Sequence, residues 1–225
     1  MKQPMKSNMK RCALALAAML ASGCSALTAT TGEHASRYSL DGMPGATAAA
    51  TASVRPVGLS VPPSGPTLVV SPPHAAAGFD SQRMMYVREA HKLEYFANNE
   101  WVDTPARMLA PLIVSAAERS GTFRAVVQTP SAASGKLRLD TEVTRLQHEF
   151  LGSPSRVRFT LRAQIVDNAS RQVLASREFE SVAEAPTENP RGGVLAANRA
   201  VQSVLDQLAA FCAESESDWR LAASR

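Results

Sequence analysis

Three cysteines and four histidines are the side chains of this 225-residue protein best suited to chemistry, and their spacing limits what they can do. Cys12 lies inside an apolar run, Cys24 follows Ala21-Ser22-Gly23 at its exit, and Cys212 stands alone near the C-terminus. No Cys-x-x-Cys or His-x-x-x-His pair offers ligands to a metal, and neither a Gly-rich phosphate loop nor a Gly-x-Ser-x-Gly elbow is present. His34 and His74 fall in tether or loop and His91 beside a strand. His148 lies on a strand, where a half-buried structural imidazole is expected. Glu178 and Glu180 alternate with apolar positions, as on a solvated strand face. The expectation is no catalytic residue, no metal and no cofactor, beyond covalent modification at Cys24.

That modification needs a delivery signal, and the N-terminus has the form of one. Lys2, Lys6, Lys10 and Arg11 precede the apolar run Cys12 to Ala21, which is too short to span a bilayer. Residues 1–23 therefore read as a cleaved signal peptide. The exit Ala21-Ser22-Gly23-Cys24 resembles the lipobox of bacterial lipoproteins, in which the cysteine thiol is acylated and becomes the new N-terminus. Leucine usually stands three places before that cysteine. Here that place holds Ala21, with Leu20 one place further away. Acyl chains such as palmitate, each buried CH₂ contributing about 0.8 kcal/mol, would hold a domain at a membrane without a spanning helix. By the same resemblance, Ser25 at the sorting position implies the outer membrane and a domain facing the periplasm.

Charge narrows the partners. The chain carries 24 Lys+Arg against 20 Asp+Glu. The four leader cations account for the whole excess, so the mature protein is formally neutral. A neutral chain has little electrostatic drive toward phosphate backbones, and nucleic acid is not an expected partner. With Cys12 removed and Cys24 acylated, Cys212 has no partner for an intramolecular disulfide and reads as a small apolar residue on a helix face.

Residues 24–66 hold the lipidated N-terminus and an Ala/Thr/Pro-rich tether, too poor in large apolar side chains to offset the entropy of ordering. One island, Arg37-Tyr38-Ser39-Leu40, alternates as a short strand would. The domain proper is expected over residues 67–213, with 214–225 as a C-terminal tail. Short strands are expected at Thr67 to Val70, Met84 to Arg88 and His91 to Phe96. A helix follows, with Thr104 able to cap it, Pro105 at its first turn and Gly121 closing it. Its apolar face is Met108, Leu109, Leu112, Ile113, Ala116 and Ala117, and Pro111 inside it should bend it or delay its regular start.

Val157, Phe159, Leu161, Ala163 and Ile165 alternate with polar residues, marking a half-buried strand. A turn at Asp167 to Arg171 returns Gln172 to Val182 antiparallel, setting Phe159 opposite Phe179, Ile165 opposite Val173 and Arg158 opposite Glu180. Arg177 points inward in that register. Upstream, Leu137, Leu139 and Val143 share one parity and Leu146, His148 and Phe150 the other, so a bulge is expected near Thr144 and Arg145. Asn189 and Pro190 introduce a second helix whose stripe is Val194, Leu195, Val201, Val204, Leu205, Leu208 and Cys212. The fold class is α+β, a mostly antiparallel sheet with two helices packed on one face.

This layout resembles the auxiliary lipoproteins of ABC-type transport systems, the PqiC-like family that accompanies MCE-domain proteins. The resemblance rests on Cys24 and its exit, on Arg37 to Leu40, on the run from Arg83 through Tyr95 and Trp101 to Pro105, and on the sheet and terminal helix that follow. It departs in the insert of about residues 41–66. The resemblance implies a non-catalytic, outer-membrane-anchored component of a lipid transporter, partnered by an MCE-domain protein and its ABC permease and ATPase. Tyr38, Leu40, Tyr86, Tyr95, Phe96 and Trp101 are the candidate interface, since buried aromatics concentrate binding energy, and a core role for them stays open. So does homo-oligomerisation. Two rivals share the anchor and tether: an assembly or pilot lipoprotein for a β-barrel or secretin, and a lipid carrier, which would need an apolar cavity.

Overall fold

One strand organises the domain. In the computed structural model, which describes residues 35–41 and 65–224, β7 (Leu137–Glu149) pairs along its whole length with β8 (Arg156–Asp167), antiparallel. Its other edge is shared by three short parallel strands in succession: β2 (Thr67–Val70) at Leu137 to Leu139, β3 (His74–Ala75) at Glu142 and Val143, and β4 (Arg83–Glu89) at His148 and Glu149. Beyond β2 lies β6 (Ala125–Gln128), parallel to it. Beyond β4 lie β5 (Lys92–Trp101), antiparallel to β4, and then β1 (Ser36–Tyr38), parallel to β5. On the far side β8 pairs antiparallel with β9 (Val173–Glu184). The nine-stranded sheet is mixed, its long pairings antiparallel and its short ones parallel. The signal peptide, Cys24, Ser25 and residues 42–64 of the insert lie outside the described residues.

The alternation of β7 explains why it can serve both edges. Leu137, Leu139 and Val143 are fully buried. The ladder then slips by one residue between Val143 and Arg145, so that Leu146 and His148 also face inward. This is the expected bulge, with the Thr144 hydroxyl donating to Thr160 O at 3.4 Å. The β8–β9 register differs from expectation by two residues: Leu161 faces Phe179, Ile165 faces Ala175 and Arg158 faces Val182. The inward parity of Phe179 survives, because the chain adds one residue between Val173 and Ala175 at the end near the turn. Arg158 still binds Glu180 on the diagonal. Arg177 lies with its guanidinium 5.0 Å from the Phe211 ring centroid and bonded to Glu214 at 3.0 Å, so its stem covers core while its charge stays wet.

Helix α1 (Pro105–Arg119) buries Leu109, Ile113, Ala116 and Ala117, while Met108 and Leu112 flank the core. Thr104 holds the N-cap position without a side-chain capping bond. Gly121 takes φ +69° just past the helix, where a side chain would be strained. Helix α2 (Pro190–Ala223) starts as expected, with Asn189 accepting from Gly192 N at 2.9 Å. It does not stop at 213 but runs on to Ala223, with Ser215 and Glu216 buried. Both helices pack on the core side of the sheet, α2 against β8 and β9 and α1 against α2, β6 and β7.

The N-terminal strand is docked despite the insert that separates it from β2. Tyr38 pairs with Trp101 across the sheet, and Leu40 is buried in the main core. Asn198 on α2 accepts from Asp41 N at 2.8 Å and donates to Ser39 O at 3.3 Å, so one buried amide holds both sides of Leu40. Replacing Asn198 by Leu leaves those backbone groups without this partner, a loss of about 1–3 kcal/mol. Amide exchange at residues 38–41 should accelerate while β7–β8 stays protected; unchanged exchange there would show that the clamp is not what holds the strand.

Candidate partner interface

At the end of β7 beside the start of α2, four rings gather on the core side of the sheet. Tyr86 and Phe96 have centroids 4.6 Å apart, His148 and Phe150 4.1 Å, and Tyr86 meets Phe150 edge-on at 6.0 Å. The register makes this inevitable, because Tyr86 lies beside His148 in the β4–β7 pairing and Phe150 continues the parity of His148. Tyr86, Phe96 and Phe150 are half-buried. The Arg88 guanidinium stacks 5.0 Å from the Tyr86 ring and 5.7 Å from Phe150, capping the cluster with a cation.

His148 is the polar floor of this cluster. It is 4% exposed, and its Nε2 lies 2.9 Å from the hydroxyl of Ser155, itself 1% exposed. Its Nδ1 has no hydrogen-bond partner. Gly193 permits this packing: a Cβ there would come within 2.5 Å of Nδ1, so only glycine lets α2 approach. Burial lowers the imidazole pKa to about 4, against a smaller opposing pull from Glu188. The pair is sealed in the core, more deeply than the half-buried imidazole expected from the strand position. The cavity between Met84, Phe96, Trp101, His148 and Ala197 is about 10 Å³, room for one water at most. The lipid-carrier alternative finds no apolar chamber at this position.

The opposite face of the β4–β5 hairpin is more exposed. Tyr95 is 42% and Leu93 48% exposed, with the Arg83 guanidinium 5.1 Å from the Tyr95 ring. Among the described residues, β1 covers the outer edge of β5 only at Asn99 to Trp101, which leaves Lys92 to Ala97 as an open sheet edge. The hairpin turn places His91 at φ +67°, so His91 belongs to the turn and β5 begins at Lys92.

The outer face of β7–β9 has a different character. Arg158 binds Glu149 through two nitrogens at 2.8 and 3.3 Å and also reaches Glu180, while Arg162 bridges Glu142 and Glu178 at 3.3 and 3.1 Å. Burial pushes the Glu149 carboxyl upward, but Arg158 and the Gln147 amide outweigh it and hold it below the usual carboxylate range. Charges already paired in a lattice make a poor anchor for a partner. Cys212 is buried in α2, its thiol pKa pushed up to about 12 by desolvation, and is not a reactive thiol.

The expected interface residues therefore separate. Tyr86 and Phe96 come together on one face of the hairpin, and Tyr95 stands on the other. Tyr38 is half-buried at the sheet edge, and Leu40 and Trp101, 5% and 4% exposed, are core. Trp101 faces inward because its strand runs straight into the buried N-terminus of α1. Sequence reasoning missed Arg88 and Phe150 as members of the cluster; the shared parity of Phe150 and His148 was the available signal.

The family model for the ABC-type transport auxiliary lipoprotein component matches residues 38–209, more than half of the chain. This protein belongs to that family. The fold is shared with protein XCC0632 from Xanthomonas campestris at a TM-score of 0.64 and 22% identity, over 70% of this chain and 89% of that one. A second solved structure, of an uncharacterised protein, aligns at a TM-score of 0.56 and 14% identity over 81% of this chain and 98% of the other. No curated protein matches. Family membership makes the chain a lipoprotein component associated with an ABC transporter. No helix among the described residues is long and apolar enough to cross a membrane.

The buried imidazole gives a pH signature. His148 is neutral in the fold, whereas the unfolded chain binds a proton below its ordinary value of 6.5. Between pH 6.5 and about 4 the unfolded state binds more protons, so this group's contribution to stability falls as pH falls and levels off below about 4. Melting temperatures measured across that window should decline more steeply for wild type than for His148→Phe; equal slopes would show that the imidazole titrates normally.

Proposed function

We propose that this protein is the outer-membrane-anchored, non-catalytic auxiliary component of an MCE-type ABC transport system, moving phospholipid or another hydrophobic molecule between the inner and outer membranes. Cys24 carries the acyl chains, Ser25 directs sorting to the outer membrane, and the residues between Cys24 and the core strands give the domain reach into the periplasm. The energy comes from the partner ATPase, and the domain docks the MCE-domain protein through its β4–β5 hairpin. The observation that carries the docking surface is the edge of β5, left uncovered among the described residues and flanked by Tyr95 and Leu93 on one face and by Tyr86 and Phe96 on the other. An extended partner segment can add to such an edge through its backbone while its side chains meet the flanking rings.

Gentle solubilisation and pull-down of the C-terminally tagged full-length protein should recover an MCE-domain protein with its permease or ATPase. The Leu93→Ser/Tyr95→Ala variant, which alters exposed residues, should fold normally and lose recovery by about thirtyfold, the size of a hot-spot loss of ~2 kcal/mol. Recovery of a β-barrel or secretin alone would favour the assembly-lipoprotein reading. Undiminished recovery of the MCE-domain protein with the variant would move the contact elsewhere.

A further inference from the structure

At the opposite end of β7 from the aromatic hairpin lies an open cleft of about 440 Å³, where β2 and β7 begin and α2 ends. It is larger than a bare inorganic anion requires and within the range of small-molecule sites. Two cations line it, Arg124 and Lys136, and among the described residues no acidic one does. Neither cation is in an ion pair among the described residues, in contrast to the guanidinium groups of Arg158 and Arg162 on the outer face. Arg124 Nη2 lies 3.5 Å from the Thr67 hydroxyl, and Lys136 Nζ lies 5.7 Å from the Trp219 ring centroid.

The walls are held in place before any ligand arrives. Asn168 donates its side-chain amide to Gly135 O at 2.8 Å and its backbone N–H to Lys136 O at 2.9 Å, fixing the loop that presents Lys136. Trp219 Nε1 donates to Asp167 Oδ2 at 3.3 Å, which sets the indole. The remaining oxygen of Asp167 accepts from Ala169 N and Ser170 N, so that acid is engaged within its own turn. The approach of the walls is tight: a Cβ on Gly135 would lie 2.6 Å from Thr67 O, and one on Gly65 2.4 Å from Thr122 O.

We infer that this cleft binds a phosphate ester of head-group size, a glycerophosphodiester, with Arg124 and Lys136 on the phosphate and the Trp219 indole against the glycerol. Guanidinium supplies the fork that matches two phosphate oxygens, ammonium a second point charge, and indole an amphipathic wall suited to a polar molecule with a carbon skeleton. The same chemistry is offered by a phospholipid head and by a free ester. The site is separate from the hairpin and does not depend on the partner assigned to it.

The test follows the Trp219 indole N–H resonance of the full-length protein in neutral-detergent micelles, titrated with glycerophosphoglycerol, with inorganic phosphate, and with phosphatidylglycerol or phosphatidylcholine added to the micelles. Glycerophosphoglycerol should give a saturable shift, tighter than inorganic phosphate, and Arg124→Gln or Lys136→Gln should each weaken it about tenfold or more. A matching shift with phosphatidylglycerol but not phosphatidylcholine identifies an anionic lipid head as the source, and a shift with the soluble ester alone identifies the free ester. Inorganic phosphate binding as tightly as the ester, or a shift indifferent to both substitutions, would overturn the assignment.

Discussion

The pairing of β7 along both edges is the constraint on which the rest of the domain depends. One edge is given wholly to β8, and the other is divided among β2, β3 and β4, of which β2 and β3, four and two residues long, are too short to be stable without a shared rail. Because side chains alternate, a rail of this length must keep one face apolar throughout. The bulge at Thr144 performs that correction, placing Leu137 to Val143 and Leu146 to His148 on the same core despite their opposite parity in sequence.

The two ends of that rail acquire different chemistry. At the C-terminal end, the inward residues pass from Leu146 to His148, which α2 covers at Gly193, and on to half-buried Phe150, and the hairpin β4–β5 completes an aromatic corner. At the N-terminal end, the rail begins beside Lys136 and meets the last turns of α2, so cationic side chains and an indole collect there. Between them the outer face is closed by Arg–Glu pairs. The described domain thus presents its two distinct surfaces, the aromatic hairpin and the cationic cleft, at its ends.

What the sequence made legible follows from the range of the forces involved. Strand β8 and the bulge in β7 were readable because alternation is a local consequence of one buried face. The β8–β9 register was misread by two residues: the turn pairs Val166 rather than Ile165 with Val173, and the extra residue at Leu174 adds a second step, which leaves no mark on the alternation around Phe179. Strands β3 and β6 escaped because their pairing is parallel and distant in sequence, with two and four residues of pattern to show for it. The domain was ended at 213, short of the last turns of α2, because Ser215 and Glu216 occupy its buried face; Ser215 Oγ donates to Phe211 O at 2.8 Å and Arg220 Nε to Glu216 at 3.0 Å, which makes burial tolerable. Of the candidate contacts, Tyr86, Tyr95 and Phe96 were singled out as aromatics on expected strands, and which face each takes follows from the β4–β5 register. The core positions of Trp101 and Leu40 depend on the entry into α1 and on the Asn198 clamp, neither of which is a periodic signal.

The proposed docking places the β4–β5 hairpin, rather than the charged outer face, against an MCE-domain protein. It is tested most directly by placing a photocrosslinking residue at Tyr95 or at Glu178 in the full-length protein in cells and identifying what each captures. A crosslink to an MCE-domain protein is expected from position 95 and none from 178. Capture from 178 with silence at 95 would contradict it.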